Sequence, residues 1–292
     1  MIQGIFKDSG VLGKLLQLIA VFAFVMIATL LVTVLFTTND MNDMSNVKVM
    51  QLIQSVGLFV VPPFVVAFLW SENAFEFLKL KSTLRWTTVV YVVVFMLVAI
   101  PFINLLSWLN QQIVLPESLS EIEKMMQSSE AQIAILTEKM LNVHSLEALL
   151  FNVFLVAVVP ALGEELFFRG AIQRLFSDWK GAFFAIWMTA FIFSAIHMQF
   201  YGFFPRMLLG AFLGYLLLWS GSLWLPIIAH FVNNCVAVIF YYLKFNGIKV
   251  VDIEIIGTGE TLWLGILSGI VCVFLGYLIR KSTLKTASKT QL

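Results

Sequence analysis

Glu164, Glu165 and Arg169 stand in the run GEELFFRG, directly after the apolar stretch LLFNVFLVAVVPAL. An ionisable side chain at membrane depth costs roughly 2.5 to 3.5 kcal/mol on insertion scales, so each needs a partner or a task. Further along come FSAIH, with Phe193 four residues before His197, and HFVNN, with His230 four residues before Asn234. A glutamate can accept a proton from water. An imidazole can orient or protonate a reacting group or bind a metal, and an asparagine N–H can hold an oxyanion. The reaction that suits this set is hydrolysis of an amide. Ser194 is no trusted nucleophile, because three residues before His197 its hydroxyl is expected to bond its own helix backbone.

Helical phase divides the charges. Glu165 and Arg169 are four apart with the acid first, the favourable order for an ion pair, whereas Glu164 points about 100° away and is left over. His230 and Asn234 share one helix face, as do Phe193 and His197. Counting back and forward from the turn near residues 177–180, at about 1.5 Å per residue, puts Glu164 and His197 at depths about 6 Å apart on ideal antiparallel helices. His230 lies about nine residues into a span entering from the same side, so the three can converge within the bilayer. Each motif alone also has a plainer reading. A Glu-Glu pair at a helix end is commonly a solvated interfacial pair, and an intramembrane histidine is commonly hydrogen-bonded packing. Their joint, ordered occurrence favours a site.

The elements that must carry these residues are membrane helices. The chain has 292 residues, 60% of them hydrophobic and 12% charged, a composition that marks a polytopic membrane protein. Apolar runs long enough to cross about 30 Å of hydrocarbon predict about eight transmembrane helices in an all-α bundle, near residues 15–36, 52–70, 87–108, 146–168, 182–200, 204–219, 222–243 and 262–280. The first run is too long for a signal-peptide core and is read as a retained helix. Pro62 and Pro63 are expected to kink the second span. Cys235 and Cys272 both fall in apolar runs, which rules out a disulfide framework or a four-thiolate zinc site.

Between residues 111 and 145 lies a polar connector, PESLSEIEKMMQSSEAQIAILTEKML within it. Ser120 and Glu123 match a capping box, and Ile122, Met125, Met126, Ile133, Leu136 and Met140 recur at helical spacing, so an amphipathic helix is expected on the membrane surface or over the bundle. The organisation is then three helices over 1–110, the connector over 111–145, a catalytic set over 146–245, and a last helix with a basic tail over 246–292. Of the 18 Lys and Arg residues, twelve fall on one side of the alternating spans, from Lys7 to Lys289, and six on the other, among them Lys124 and Arg206. The bias predicts both termini in the cytoplasm, in a cytoplasmic membrane. A net charge of +1 without a basic, aromatic-interleaved patch gives no reason to expect nucleic acid.

At these residues the chain resembles the CPBP family of intramembrane proteases, which takes in the type II CAAX prenyl endopeptidases and bacterial relatives linked to bacteriocin self-immunity. The family pattern of EExxxR, FxxxH and HxxxN is filled by Glu164 to Arg169, Phe193 to His197 and His230 to Asn234. The resemblance covers about residues 145–245. It implies Glu164 as the base that activates water, His197 and His230 as partners of that water or of a metal, Asn234 in the oxyanion role, and Glu165 with Arg169 as supporting groups. Two alternatives stay open for the cofactor: Zn2+ or another divalent metal held by Glu164, His197 and His230, or a metal-free glutamate mechanism.

The expected function is an intramembrane endopeptidase acting on a membrane-associated or lipidated peptide or protein, with membrane lipid as its other partner. The C-terminal KTQL carries no cysteine and is not itself a prenylation signal. A non-catalytic protein of the same fold, acting in peptide or bacteriocin immunity or as a scaffold, is the competing reading. A small-solute transporter is the weaker one, since no inverted repeat or paired broken helices are detectable.

Overall fold

The computed structural model describes residues 2–38, 40, 43–249, 252–253 and 255–287, and it is all-helical, with no strand among those residues. Lys289 and the terminal KTQL lie outside them, and so does the side chain of Lys285. Helices long and apolar enough to cross a membrane are α1 (Val11–Phe36), α2 (Met44–Trp70), α6 (Leu146–Lys180), α8 (Phe203–Ser220), α9 (Trp224–Phe245) and α10 (Leu262–Ala287). The third expected run is a pair, α3 (Trp86–Val98) and α4 (Ile100–Gln111), bent by 43°. Pro101 sits in the first turn of α4, where its missing N–H is tolerated. The fifth expected run is the shorter apolar helix α7 (Ala182–Ala195). The amphipathic connector is α5 (Ser120–Leu141). This is a multi-pass membrane protein.

The two largest packed clusters divide the bundle between them. One joins α1, α2, α6 and α7 through Leu18, Val66, Trp70, Phe167, Phe168 and Phe193. The other joins α3, α8, α9 and α10 through Val92, Met96, Leu213, Leu216, Leu225 and Ile279. Large apolar side chains such as Phe24 and Leu35 on α1 and Val273 on α10 point outward, as lipid-facing residues must when no aqueous boundary penalises them. Close helix approach is bought with small residues, as is usual where lipid gives no hydrophobic drive for association. A Cβ on Gly57 would lie 2.2 Å from Thr29 Oγ1, and one on Gly214 would lie 2.7 Å from Gln173 Oε1.

The two ends of the bundle differ. Gly4 and Phe6 donate backbone N–H groups to Phe68 and Leu69 at the end of α2, and Lys7 pairs with Glu72 at 2.8 Å. The Lys7 ammonium holds the Glu72 carboxyl below the usual range and is itself raised by it. At this same end the segment after α2 is tied to its neighbours through main-chain carbonyls. Arg174 Nη1 donates to Phe77 O, Leu223 N to Lys79 O, and Trp224 Nε1 to Leu80 O. The opposite end carries α5 and the α7–α8 link.

Pro62 and Pro63 lie in the first turn of the stretch Val61–Trp70, behind a π-helical stretch at Val56–Val60, and α2 runs on as one span to Trp70. Two other expectations change in detail. The capping box at Ser120 does not form. A 3-10 turn at Glu117–Leu119 feeds directly into α5, so Ser120 is already inside the helix and no side chain caps it. The amphipathic stripe is inward only in part: Met140 is buried and Met126, Ile133 and Leu136 half-buried, whereas Ile122 and Met125 are exposed.

Candidate active site

Three helices, α6, α7 and α9, supply the residues named from the motifs, and α6 is irregular where it does so. π-helical stretches at Val153–Val158 and Leu166–Ile172 flank the regular turn Val159–Glu165, a local widening often found at functional sites. Pro160 has no N–H to offer the carbonyl four residues back, that of Val156. Asn234 fills the gap, with Nδ2 donating to Val156 O at 3.2 Å. The motif asparagine on α9 is thus locked to the helix that carries the glutamates.

Glu165 and Arg169 form the expected pair, Arg169 Nη1 to Glu165 Oε1 at 2.9 Å with both side chains fully buried. Arg169 Nη2 donates to Gly210 O on α8 at 2.8 Å, and its guanidinium carbon stands 4.8 Å from the centre of the Phe193 ring. The same Glu165 Oε1 also meets His230 Nδ1 at 2.8 Å. A carboxylate can only accept, so Nδ1 of His230 carries a proton and, in the neutral ring, Nε2 is left with its lone pair. That Nε2 faces Glu164 Oε2 at 3.8 Å. This is beyond a direct hydrogen bond, yet an atom to one side of the line can touch both at ordinary range. Glu164 keeps 16% of its side-chain surface exposed, but Oε2 is buried with no protein hydrogen-bond partner. Helical phase separates the two glutamates as expected: Glu165 holds Arg169 and His230 on one oxygen, and Glu164 Oε2 is unspent.

His197 lies just past the end of α7, which stops at Ala195, with Ile196 as its cap and Met198 in the left-handed region at φ 54°. It is therefore in a turn, a correction to the expected helical span, and the depth count applies only as far as Ala195. The spacing still holds locally, because Nδ1 bonds the Phe193 carbonyl at 2.6 Å, which fixes the proton on Nδ1 and leaves Nε2 free. The Phe193 ring contacts both imidazoles, with centroids 4.9 Å from His197 and 6.1 Å from His230. Ser194 Oγ donates to Phe203 O at 2.7 Å, across to the start of α8 instead of within its own helix. Its hydrogen is committed either way.

Both Nε2 lone pairs and the Glu164 carboxylate are donors of the kind zinc takes. Among the described residues, however, no three His, Cys, Asp or Glu side chains stand close enough to hold a metal ion together.

Sequence reasoning missed two contributors. Arg206, one turn into α8, donates to Gln199 O and Oε1 at 3.2 and 2.8 Å and interacts electrostatically with both Glu164 and Glu130 of α5. The charge count only assigns it to the side opposite the termini, although the rule that intramembrane charges need partners applies to FFPRMLLG as much as to GEELFFRG. Asn110, at the end of α4, is buried and bridges the α7–α8 link, donating to Phe200 O at 2.8 Å and accepting from Phe204 N at 3.0 Å. No motif announces it.

Fold and site together define a helical membrane protein with a buried carboxylate–imidazole cluster. Residues 146–236 match the Rce1-like family model, described as type II CAAX prenyl endopeptidase Rce1-like, in the segment that carries all three motifs. The match supports the resemblance seen in the sequence and suggests a CAAX-type intramembrane protease. No curated protein and no solved structure matches the chain.

Proposed function

We propose that the protein is an intramembrane endopeptidase that hydrolyses a peptide bond of a membrane-associated or lipidated peptide or protein, with Glu164 activating the water. The observation that carries this reading is the buried, unpartnered Oε2 of Glu164 facing His230 Nε2 at 3.8 Å. A water beside that pair gives one proton to Glu164 and its second hydrogen bond to His230 Nε2. Its oxygen attacks the scissile carbonyl carbon, and Glu164 returns the proton to the leaving amine nitrogen as the C–N bond breaks. His230 stays oriented because Glu165, itself neutralised by Arg169, holds Nδ1. An amide NH2 has two donors; Asn234 spends one on Val156 O and has the other for the oxyanion. His197 Nε2 can accept from the water or from a substrate N–H. The charge bias supports both termini on the cytoplasmic side of a cytoplasmic membrane.

Glu164→Gln keeps the shape and removes the base. It is expected to lower cleavage of membrane-peptide substrates by about 10²- to 10⁴-fold with an unchanged unfolding midpoint; full turnover by that variant overturns the proposal. The second reading, a non-catalytic peptide-binding protein of the same fold, is favoured by one observation: Asn234 Nδ2 and His197 Nδ1 both serve main-chain carbonyls. It predicts that Glu164→Gln leaves the biological function intact.

A further inference from the structure

Behind Arg169, on the side away from Glu164, a cavity of about 250 Å³ opens between α6, α7, α8 and the segment after α2. Its rim carries Lys79 and Arg174, with Asp178 beside Arg174, and its floor carries Gln173 and the flank of Arg169. Leu217, Ala182 and Ala185 supply apolar wall.

On the floor, Gln173 is only 6% exposed, with Nε2 donating to Gly214 O and Oε1 packed against Gly214 of α8. One feature marks the cavity as built for a ligand. Arg174 is held rigid, one nitrogen on Phe77 O and the guanidinium 3.8 Å over the Phe77 ring. Its remaining N–H groups are therefore oriented in advance, and an oriented guanidinium suits the oxygens of a phosphate.

Depth points the same way. The cavity lies at the end of the bundle where Trp86, Trp179 and Trp224 are exposed, 78%, 56% and 39% respectively, and exposed tryptophans mark the level of lipid headgroups. A second, open cavity of about 370 Å³ continues from Lys79 and Gly221 past Lys81 and Ser82, with Glu76 also in its lining.

We propose that this cavity binds an anionic phosphate ester, its phosphate oxygens on Arg174 and Lys79. The headgroup of phosphatidylglycerol and a soluble glycerol phosphate share that chemistry. The site stands independently of any catalytic reading.

The test titrates the purified full-length protein, in neutral detergent, with phosphatidylglycerol, phosphatidylcholine or glycerol phosphate while its thermal unfolding midpoint is followed. A saturable rise of several degrees with phosphatidylglycerol and none with phosphatidylcholine assigns a lipid headgroup; an equal rise with glycerol phosphate assigns a free phosphate ester. Lys79→Asn removes the charge yet suits the left-handed backbone at φ 57°, and Ser177→Glu adds a negative charge to the lining without removing a contact. Each is expected to cut the shift at least by half. Equal shifts with the two lipids, no shift with any of the three, or a shift undiminished in both variants overturns the proposal.

Discussion

Glu165 Oε1 accepts from two cationic or potentially cationic groups at once, Arg169 Nη1 at 2.9 Å and His230 Nδ1 at 2.8 Å. Removing one partner of a buried pair strands the other charge, which typically costs about 3 to 5 kcal/mol. Glu165→Gln is therefore expected to lower unfolding stability by about that amount and to reduce cleavage as well, since His230 loses its orienting acceptor. Pairing Glu165→Gln with Arg169→Met should recover part of the stability without recovering cleavage, because the stranded guanidinium is gone while His230 remains unheld. Denaturant unfolding of the single and double variants checks this, and unchanged stability in Glu165→Gln counts against the pairing. The pairing of Glu165 and not Glu164 with Arg169 is legible in the sequence, since it rests only on a spacing of four and a phase of about 100° per residue. The bond from His230 to Glu165 was not, because nothing in either motif says which of two neighbouring carboxylates an imidazole 65 residues away will meet.

The α7–α8 link shows what spacing leaves out at the level of elements. Spacing places Phe193 and His197 on one helix, but that helix stops at Ala195, and His197 is presented by a turn in the link that Asn110 bonds further on, at Phe200 and Phe204. Long-range polar contacts of this kind leave no periodic trace. The helices themselves were readable, since apolar length and helical backbone are forced together in lipid. The irregularities within them were signalled by proline at best: Pro160 sits beside the π-helical stretches of α6, and Asn234 takes up the carbonyl it cannot serve. Asn110→Ala leaves the Phe200 carbonyl and the Phe204 amide without their partner. The expected cost is about 1 to 3 kcal/mol, with a loss of cleavage through displacement of His197 although Glu164, His230 and Asn234 are untouched. Hydrogen exchange across residues 196–204 measures the loosening directly, and protection equal to that of the unaltered protein would argue against it.

For the whole molecule, connectivity fixes which loops share an end. α1 and α2 form a hairpin closed by the Lys7–Glu72 pair, the bent pair α3–α4 crosses once, and α5 follows at the opposite end. Single cysteines at Lys81 and at Lys124, in a background with Cys235 and Cys272 replaced, are expected to react with a membrane-impermeant maleimide from opposite faces of sealed vesicles, Lys81 from the face that bears the N-terminus. Labelling of both from one face would break the topology. The number of crossings is nearly explicit in the eight apolar runs, whereas the grouping of the bundle into packed clusters is not, because lipid-facing and buried positions on such helices are equally apolar.

The Asn110 bridge has a practical corollary for anyone dissecting this chain. The Rce1-like match begins at residue 146, so a truncation at that boundary keeps each motif residue yet discards the Asn110 side chain that bonds Phe200 and Phe204 in the link after His197. Such a fragment is expected to insert and remain silent in peptidase assays. Activity restored by supplying residues 1–145 as a separate polypeptide would mark the leading helices as the scaffold's missing half.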